Sequence, residues 1–138
     1  KCGNYKLTRY AAFFNPTQTP EQLYLAWFTD KEIGNELLEA KKRGVNVQII
    51  VNDDSITQQH GLDFRMRGIE NYKVSPQSKW GRKIMHNKFC MIDLKRTIHG
   101  SFNWTGNASY NDEGVTTTDS REMAEDFSRE FIRLKLRQ

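Results

Sequence analysis

His86-Asn87-Lys88-Phe89-Cys90-Met91-Ile92-Asp93, then Leu94-Lys95-Arg96-Thr97-Ile98-His99, then Gly100-Ser101-Phe102-Asn103, is the stretch on which the reading of this chain turns. Phe89, Met91 and Ile92 make an apolar run of strand character, and Lys95-Arg96 falls where a turn would reverse it. Thr97-Ile98-His99 would be the returning strand. Such a hairpin brings Gly100-Ser101-Phe102-Asn103 back beside His86, with Gly100 permitting close backbone approach. Side chains at i and i+2 of a strand share a face, so His86 and Lys88 are expected to project into one cleft while Asn87 and Phe89 point the other way.

That grouping suits one kind of chemistry. A phosphodiester is anionic and repels anionic nucleophiles. A neutral imidazole avoids the repulsion, provided fixed donors cancel the charge on the phosphoryl oxygens. An unperturbed imidazole, with a pKa near 6.5, is mostly neutral at pH 7. His86 is thus the candidate nucleophile, Lys88 the cation, and Asn103 a neutral donor to the non-bridging oxygens. Ser101 has two readings, a phosphate contact or a local turn hydrogen bond. Upstream, Lys79-Trp80-Gly81-Arg82-Lys83 follows Ser75-Pro76-Gln77-Ser78. It reads either as a substrate-gripping loop, with Trp80 stacking on a base, or as an ordinary solvated loop. His60 and His99 lack such neighbours and read as structural; Trp104 reads as core or interface.

Outward from the motif, strand and helix patterns alternate. Tyr5 to Phe14 is ambiguous, alternating imperfectly while partly fitting a helical face, and Asn15-Pro16-Thr17-Gln18-Thr19-Pro20 is a turn-rich connector. Gln22 to Phe28 reads as a strand. Thr29 and Glu32 have capping-box spacing ahead of a helical stripe at Ile33, Leu37, Leu38 and Lys41, which Gly44 stops. Val45 to Val51 reads as a buried parallel strand, Ser55 to Arg67 as a helix, and Ile69 to Val74 as a short strand. After the hairpin, Thr105 to Asn111 is loop or one helical turn, and Gly114 to Thr118 a last strand. Asp119 and Glu122 are expected to cap a long helix with Met123, Phe127, Phe131 and Leu134 facing the core. The fold expected is α/β, a mixed, largely parallel β-sheet flanked by helices on both faces, in one domain spanning 1–138.

Composition bounds the partners. The net charge of +4 favours an anionic partner without separating nucleic acid from anionic lipid. The chain opens on Lys1 rather than methionine, and an upstream piece is compatible with that. Cys2 and Cys90 make neither a disulfide framework nor a zinc site, which points to a reducing, cytoplasmic location. No Asp/Glu/His/Cys set has metal-ligand spacing, so neither a metal nor another cofactor is expected.

The fixed positions His86, Lys88, Asp93, Gly100, Ser101 and Asn103 fit His-x-Lys-x4-Asp-x6-Gly-Ser-x-Asn, and so resemble the phospholipase D superfamily. Phe28-Thr29-Asp30, Lys42-Arg43-Gly44-Val45, Ser101-Phe102-Asn103-Trp104-Thr105 and Asn111-Asp112-Glu113 are similar to its bacterial single-motif endonucleases. The resemblance implies a helix over Tyr5 to Phe14, and a metal-independent phosphodiesterase with a phosphohistidine intermediate. Two motif copies are needed and this chain has one, so it implies a homodimer sharing one active site. Carried over residue by residue, His86 is nucleophile or acid, Lys88 and Asn103 bind phosphate, Glu113 orients the histidine, and Asp93 and Gly100 support the motif. DNA or RNA is the substrate expected first, a phospholipid such as cardiolipin second. A nucleic-acid-binding module with vestigial catalysis is the reading outside enzymology, and the intact His86, Lys88, Asn103 and Glu113 set argues against it.

Overall fold

The computed structural model describes residues 22–26 (as backbone), 31–53, 68–75, 86–101 and 112–137. The expected helices at Tyr5–Phe14 and Ser55–Arg67, the Asn15–Pro20 connector, Thr29 and the 105–111 segment lie outside them. Eight elements follow in chain order: β1 (Gln22–Ala26), α1 (Lys31–Lys42), β2 (Asn46–Asn52), β3 (Glu70–Val74), β4 (Phe89–Ile92), β5 (Arg96–Gly100), β6 (Val115–Asp119) and α2 (Arg121–Lys135).

The strands form one six-stranded sheet in the order β3-β2-β1-β4-β5-β6. It is mixed, as expected. The β3-β2-β1 half is parallel, whereas β1–β4, β4–β5 and β5–β6 pair antiparallel. The antiparallel share exceeds the expectation because the motif hairpin is closed by a tight turn, a connection open only to antiparallel neighbours.

Each face of the sheet carries one described helix. Ile33, Leu37 and Ala40 of α1 pack with Val47, Ile49 and Val51 of β2, Cys90 and Ile92 of β4, and Ile98 of β5. Phe131 and Leu134 of α2 pack with Ile50, Val74, Phe89 and Met91, and half-buried Phe127 joins them. Period-2 alternation along β2 and β4 divides the residues between the two clusters. Burying each large apolar side chain contributes about 1.5–3 kcal/mol, so neither layer is dispensable. The apolar stripe expected on the last helix is therefore a core face.

Local signals explain most boundaries. Gly44 ends α1 at φ 92°. The Val45 amide donates to Ala40 O (3.1 Å) and the Gly44 amide to Lys41 O (3.0 Å), the paired bonds of a Schellman stop. The β4–β5 turn falls earlier than Lys95-Arg96. Asp93 (φ 54°) and Leu94 (φ 51°) are its central residues, and the Lys95 amide donates to Ile92 O at 3.0 Å. Two left-handed residues are what a type I′ hairpin requires, and they keep the right-handed twist of the strands. At the start of α2 the cap is Ser120, not Asp119: Ser120 Oγ accepts from the Met123 amide at 3.3 Å. Asp119 is the last residue of β6 and is engaged across the sheet by Arg96, through Nε to Oδ1 (2.5 Å) and Nη2 to Oδ2 (2.7 Å).

Candidate active site

Sheet register gathers the chemistry at one edge. Leu25 pairs with Cys90 and Leu23 with Ile92, so the chain entering β4 lies beyond the carboxyl end of β1. Phe89 pairs with His99, and Gly100 with Val115, which places His86–Lys88, Gly100–Ser101 and Glu113–Gly114 at that same edge. In open α/β sheets, ligands bind at the carboxyl ends of the parallel strands, where the strand order reverses. Here the reversal is at β1, which is flanked by β2 and β4.

His86 and Lys88 come together, though not within a strand, since β4 begins at Phe89. His86 is exposed, whereas Lys88 is 7 % exposed. The lysine Nζ donates to the His86 carbonyl oxygen at 2.8 Å and lies 3.0 Å from both ring nitrogens. That equidistance sets the ammonium against the ring rather than on the lone-pair axis of one nitrogen. Burial pushes the Lys88 ammonium below its ordinary range, and the Glu113 carboxylate opposes that by favouring the charged form. A buried cation beside an exposed imidazole, with a carboxylate near it, is an arrangement suited to receive an anion.

Glu113 is held by the return of the hairpin. Ser101 Oγ donates to Glu113 Oε2 at 2.6 Å and accepts from the Gly114 amide at 3.0 Å. The Ser101 amide donates to Gly114 O at 3.0 Å. Among the described residues Ser101 makes neither a turn bond nor any other local one: its hydroxyl bonds across β5 and β6 to residues twelve and thirteen positions on. Gly100 makes this clasp possible: a Cβ there would lie 2.1 Å from the Gly114 carbonyl oxygen. That is the close approach expected of this glycine.

The remaining candidates separate. Asp93 sits in the hairpin turn, at the opposite end of the four-residue β4 and about 13 Å along it. It supports the hairpin and takes no part in the edge where His86 lies. Asn103, Lys79, Trp80, Arg82 and Lys83 lie outside the described residues. Cys90 is fully buried on the face of the sheet that α1 covers, and burial pushes its thiol up, away from a reactive thiolate. Among the described residues, no group of three or more His, Cys, Asp or Glu could hold a metal ion.

Two features escaped sequence reasoning. Gly114 supplies both backbone groups of the clasp, and only the register of β5 on β6 brings it there. Asn87 does point away from His86 and Lys88, as expected, but its partner is Glu130 on α2, at 3.0 Å and 43 residues on. The signal that could have found Gly114 is its place beside Glu113; nothing local points to Glu130.

Comparison with known proteins accords with this geometry. A family profile described as "Cardiolipin synthase, PLD-like domain" matches residues 12–135. The chain belongs to the phospholipase D superfamily. It is 32% identical over 131 residues to a mitochondrial cardiolipin hydrolase of Chlamydomonas reinhardtii, covering 93% of this chain and 56% of that protein. The chain thus spans little more than half of that curated relative. Among solved structures, the phospholipase D family member Nuc from Salmonella typhimurium matches with a TM-score of 0.77 at 24% identity, over 92% of this chain and 84% of its own. NucT from Helicobacter pylori matches with a TM-score of 0.76 at 23% identity, over 96% and 88%. At these identities the two structures speak for the fold.

Proposed function

We propose that this chain is a metal-independent phosphodiesterase that cleaves DNA or RNA through a phosphohistidine, in a homodimer sharing one active site. The observation that carries the reading is the packing of Lys88 against both ring nitrogens of the exposed His86. In the first step a His86 ring nitrogen attacks phosphorus. The P–O bond to the leaving oxygen breaks, and the His86 of the second copy gives that oxygen its proton. In the second step the same partner imidazole takes a proton from water. The water oxygen attacks phosphorus, the P–N bond breaks, and free His86 returns. Lys88 and Asn103 offset the growing charge on the non-bridging oxygens. Glu113, gripped by Ser101 and Gly114, positions the His86–Lys88 pair. Lys79, Trp80, Arg82 and Lys83 grip the substrate beyond the scissile bond.

A single motif copy supports the dimer, because the two-step chemistry needs a second acid-base group. Light scattering tests it: activity at concentrations where only monomer exists would remove the shared site. Nucleic acid is favoured by the net charge of +4, by the Lys79–Lys83 cluster and by the resemblance to single-motif endonucleases. A phospholipid substrate is the second reading, favoured by the cardiolipin hydrolase relative.

The test is incubation in chelator with single-stranded DNA, duplex DNA, RNA and anionic phospholipid vesicles, with His86→Ala alongside. Nucleic-acid cleavage by the unaltered chain alone is expected. Release of phosphatidic acid instead would assign the lipid branch. Salt-dependent binding of DNA without turnover would leave a binding module.

A further inference from the structure

We propose that Glu130, on α2, is a positioning residue that sets the orientation of His86 through Asn87. The inference rests on the reading of His86 as nucleophile. Residues 86–88 precede β4, so the ladder that begins at Phe89 does not hold them. Side chains must. Lys88 bonds back to the His86 carbonyl, a local tie that moves with the segment. Asn87 bonds outward: its Nδ2 donates to Glu130 Oε1 at 3.0 Å, in a half-buried position.

Glu130 is a fixed anchor for that bond. Arg133 donates to it twice, Nε to Oε2 and Nη2 to Oε1, each at 2.7 Å. The bond from Arg133, with a smaller contribution from Asn87, holds its carboxyl below the usual range. An ionised carboxylate only accepts, so the Asn87 amide must present its N–H side. Two residues on, Phe89 packs in the α2-side cluster with Phe131, its ring 4.9 Å from that of Phe127. α2 thus grips Asn87 and Phe89, the two neighbours of Lys88. Rotation of the segment about its own axis, which would swing the imidazole off phosphorus, has to break that grip. The expected signature is a loss in the chemical step, with substrate binding little changed.

The experiment uses the full chain, single-stranded DNA and a chromogenic aryl phosphodiester. Asn87→Asp sets two carboxylates against each other, and should lower kcat about 10- to 100-fold with KM within about twofold. Adding Glu130→Gln reverses donor and acceptor at unchanged net charge, and should recover kcat to within about threefold of the unaltered chain. NMR of the histidine side chains gives a readout free of turnover: the His86 ring signals should move in Asn87→Asp and return in the double variant. Asn87→Ala removes the bond without adding charge. It should cost about tenfold in kcat and gain nothing from Glu130→Gln. A lowered melting temperature with kcat and the His86 signals unchanged would overturn the positioning role, as would a double variant no better than Asn87→Asp. If the unaltered chain turned over no phosphodiester, the functional reading would fail, and the His86 signals would still decide the role of Glu130.

Discussion

The two ends of the β4–β5 hairpin carry residues of one sequence motif and do different work. At the open end His86, Lys88, Gly100 and Ser101 meet Glu113, and the contacts there are short, polar and partly buried. At the closed end Asp93 and Leu94 make the reversal, while Arg96 and Asp119 pair across β5 and β6 on the surface. The difference teaches that a motif aspartate need not touch the substrate to be tied to the histidine. Asp93 sets where the strand turns, about 13 Å along β4 from the groups that meet Glu113. A change at the open end should therefore act on turnover, and one at the closed end on stability alone.

The sharpest break in that comparison is His86→Ala. It should lower cleavage by roughly 10⁴-fold or more in a steady-state assay and leave the melting temperature nearly unchanged, because the side chain is exposed. Unchanged turnover would remove the mechanism. Gly100→Ala comes next. Its Cβ would sit 2.1 Å from the Gly114 carbonyl oxygen, so the backbone must shift. A loss of about 2–3 kcal/mol by denaturant titration is expected, together with lost activity because Glu113 moves. Ser101→Ala keeps the backbone and removes one hydroxyl that serves both Glu113 and the Gly114 amide. About 1 kcal/mol and roughly tenfold in kcat should go, with KM little affected. Equal loss in kcat and stability for a closed-end variant would blur the division.

Closed-end effects are smaller. The Arg96 guanidinium holds the Asp119 carboxyl below its usual range, chiefly by hydrogen bonding. A depressed folded-state pKa means stability present above the unfolded value near 3.9 and lost as pH falls through the lower folded value. Asp119→Asn should erase that acid-side loss in thermal melts taken downward from about pH 4. Both partners are more than a third exposed, so solvent and salt screen the pair and less than about 1 kcal/mol is at stake. Leu94→Gly relieves a left-handed non-glycine residue, and should raise stability by up to about 1 kcal/mol with cleavage rates unchanged. A fall in activity there would join the two ends after all.

The sequence made legible whatever rests on period or spacing. Gly100 at a close approach, and Phe131 and Leu134 on a buried stripe, follow from local rules, whereas His86 and Lys88 meet ahead of β4 through the bond from Lys88 back to the His86 carbonyl rather than by strand alternation. The misplacements come from long-range competition. Asp119 and Ser120 are both good cap residues; Arg96 claims the first across the sheet and leaves the second to α2. The turn lacks the glycine that would have marked it, and Leu94 accepts a left-handed conformation that its own chemistry disfavours. The Asn87–Glu130 bond spans 43 residues, and no local pattern encodes it.

The most direct test is to mix the protein with its phosphodiester substrate in chelator, quench during turnover, and search by mass spectrometry for a phosphoryl adduct. The account predicts an acid-labile, base-stable adduct on His86 that forms without divalent metal and is absent from His86→Ala. Undiminished turnover with no adduct on His86, or activity that disappears in chelator and returns with a divalent ion, would contradict it.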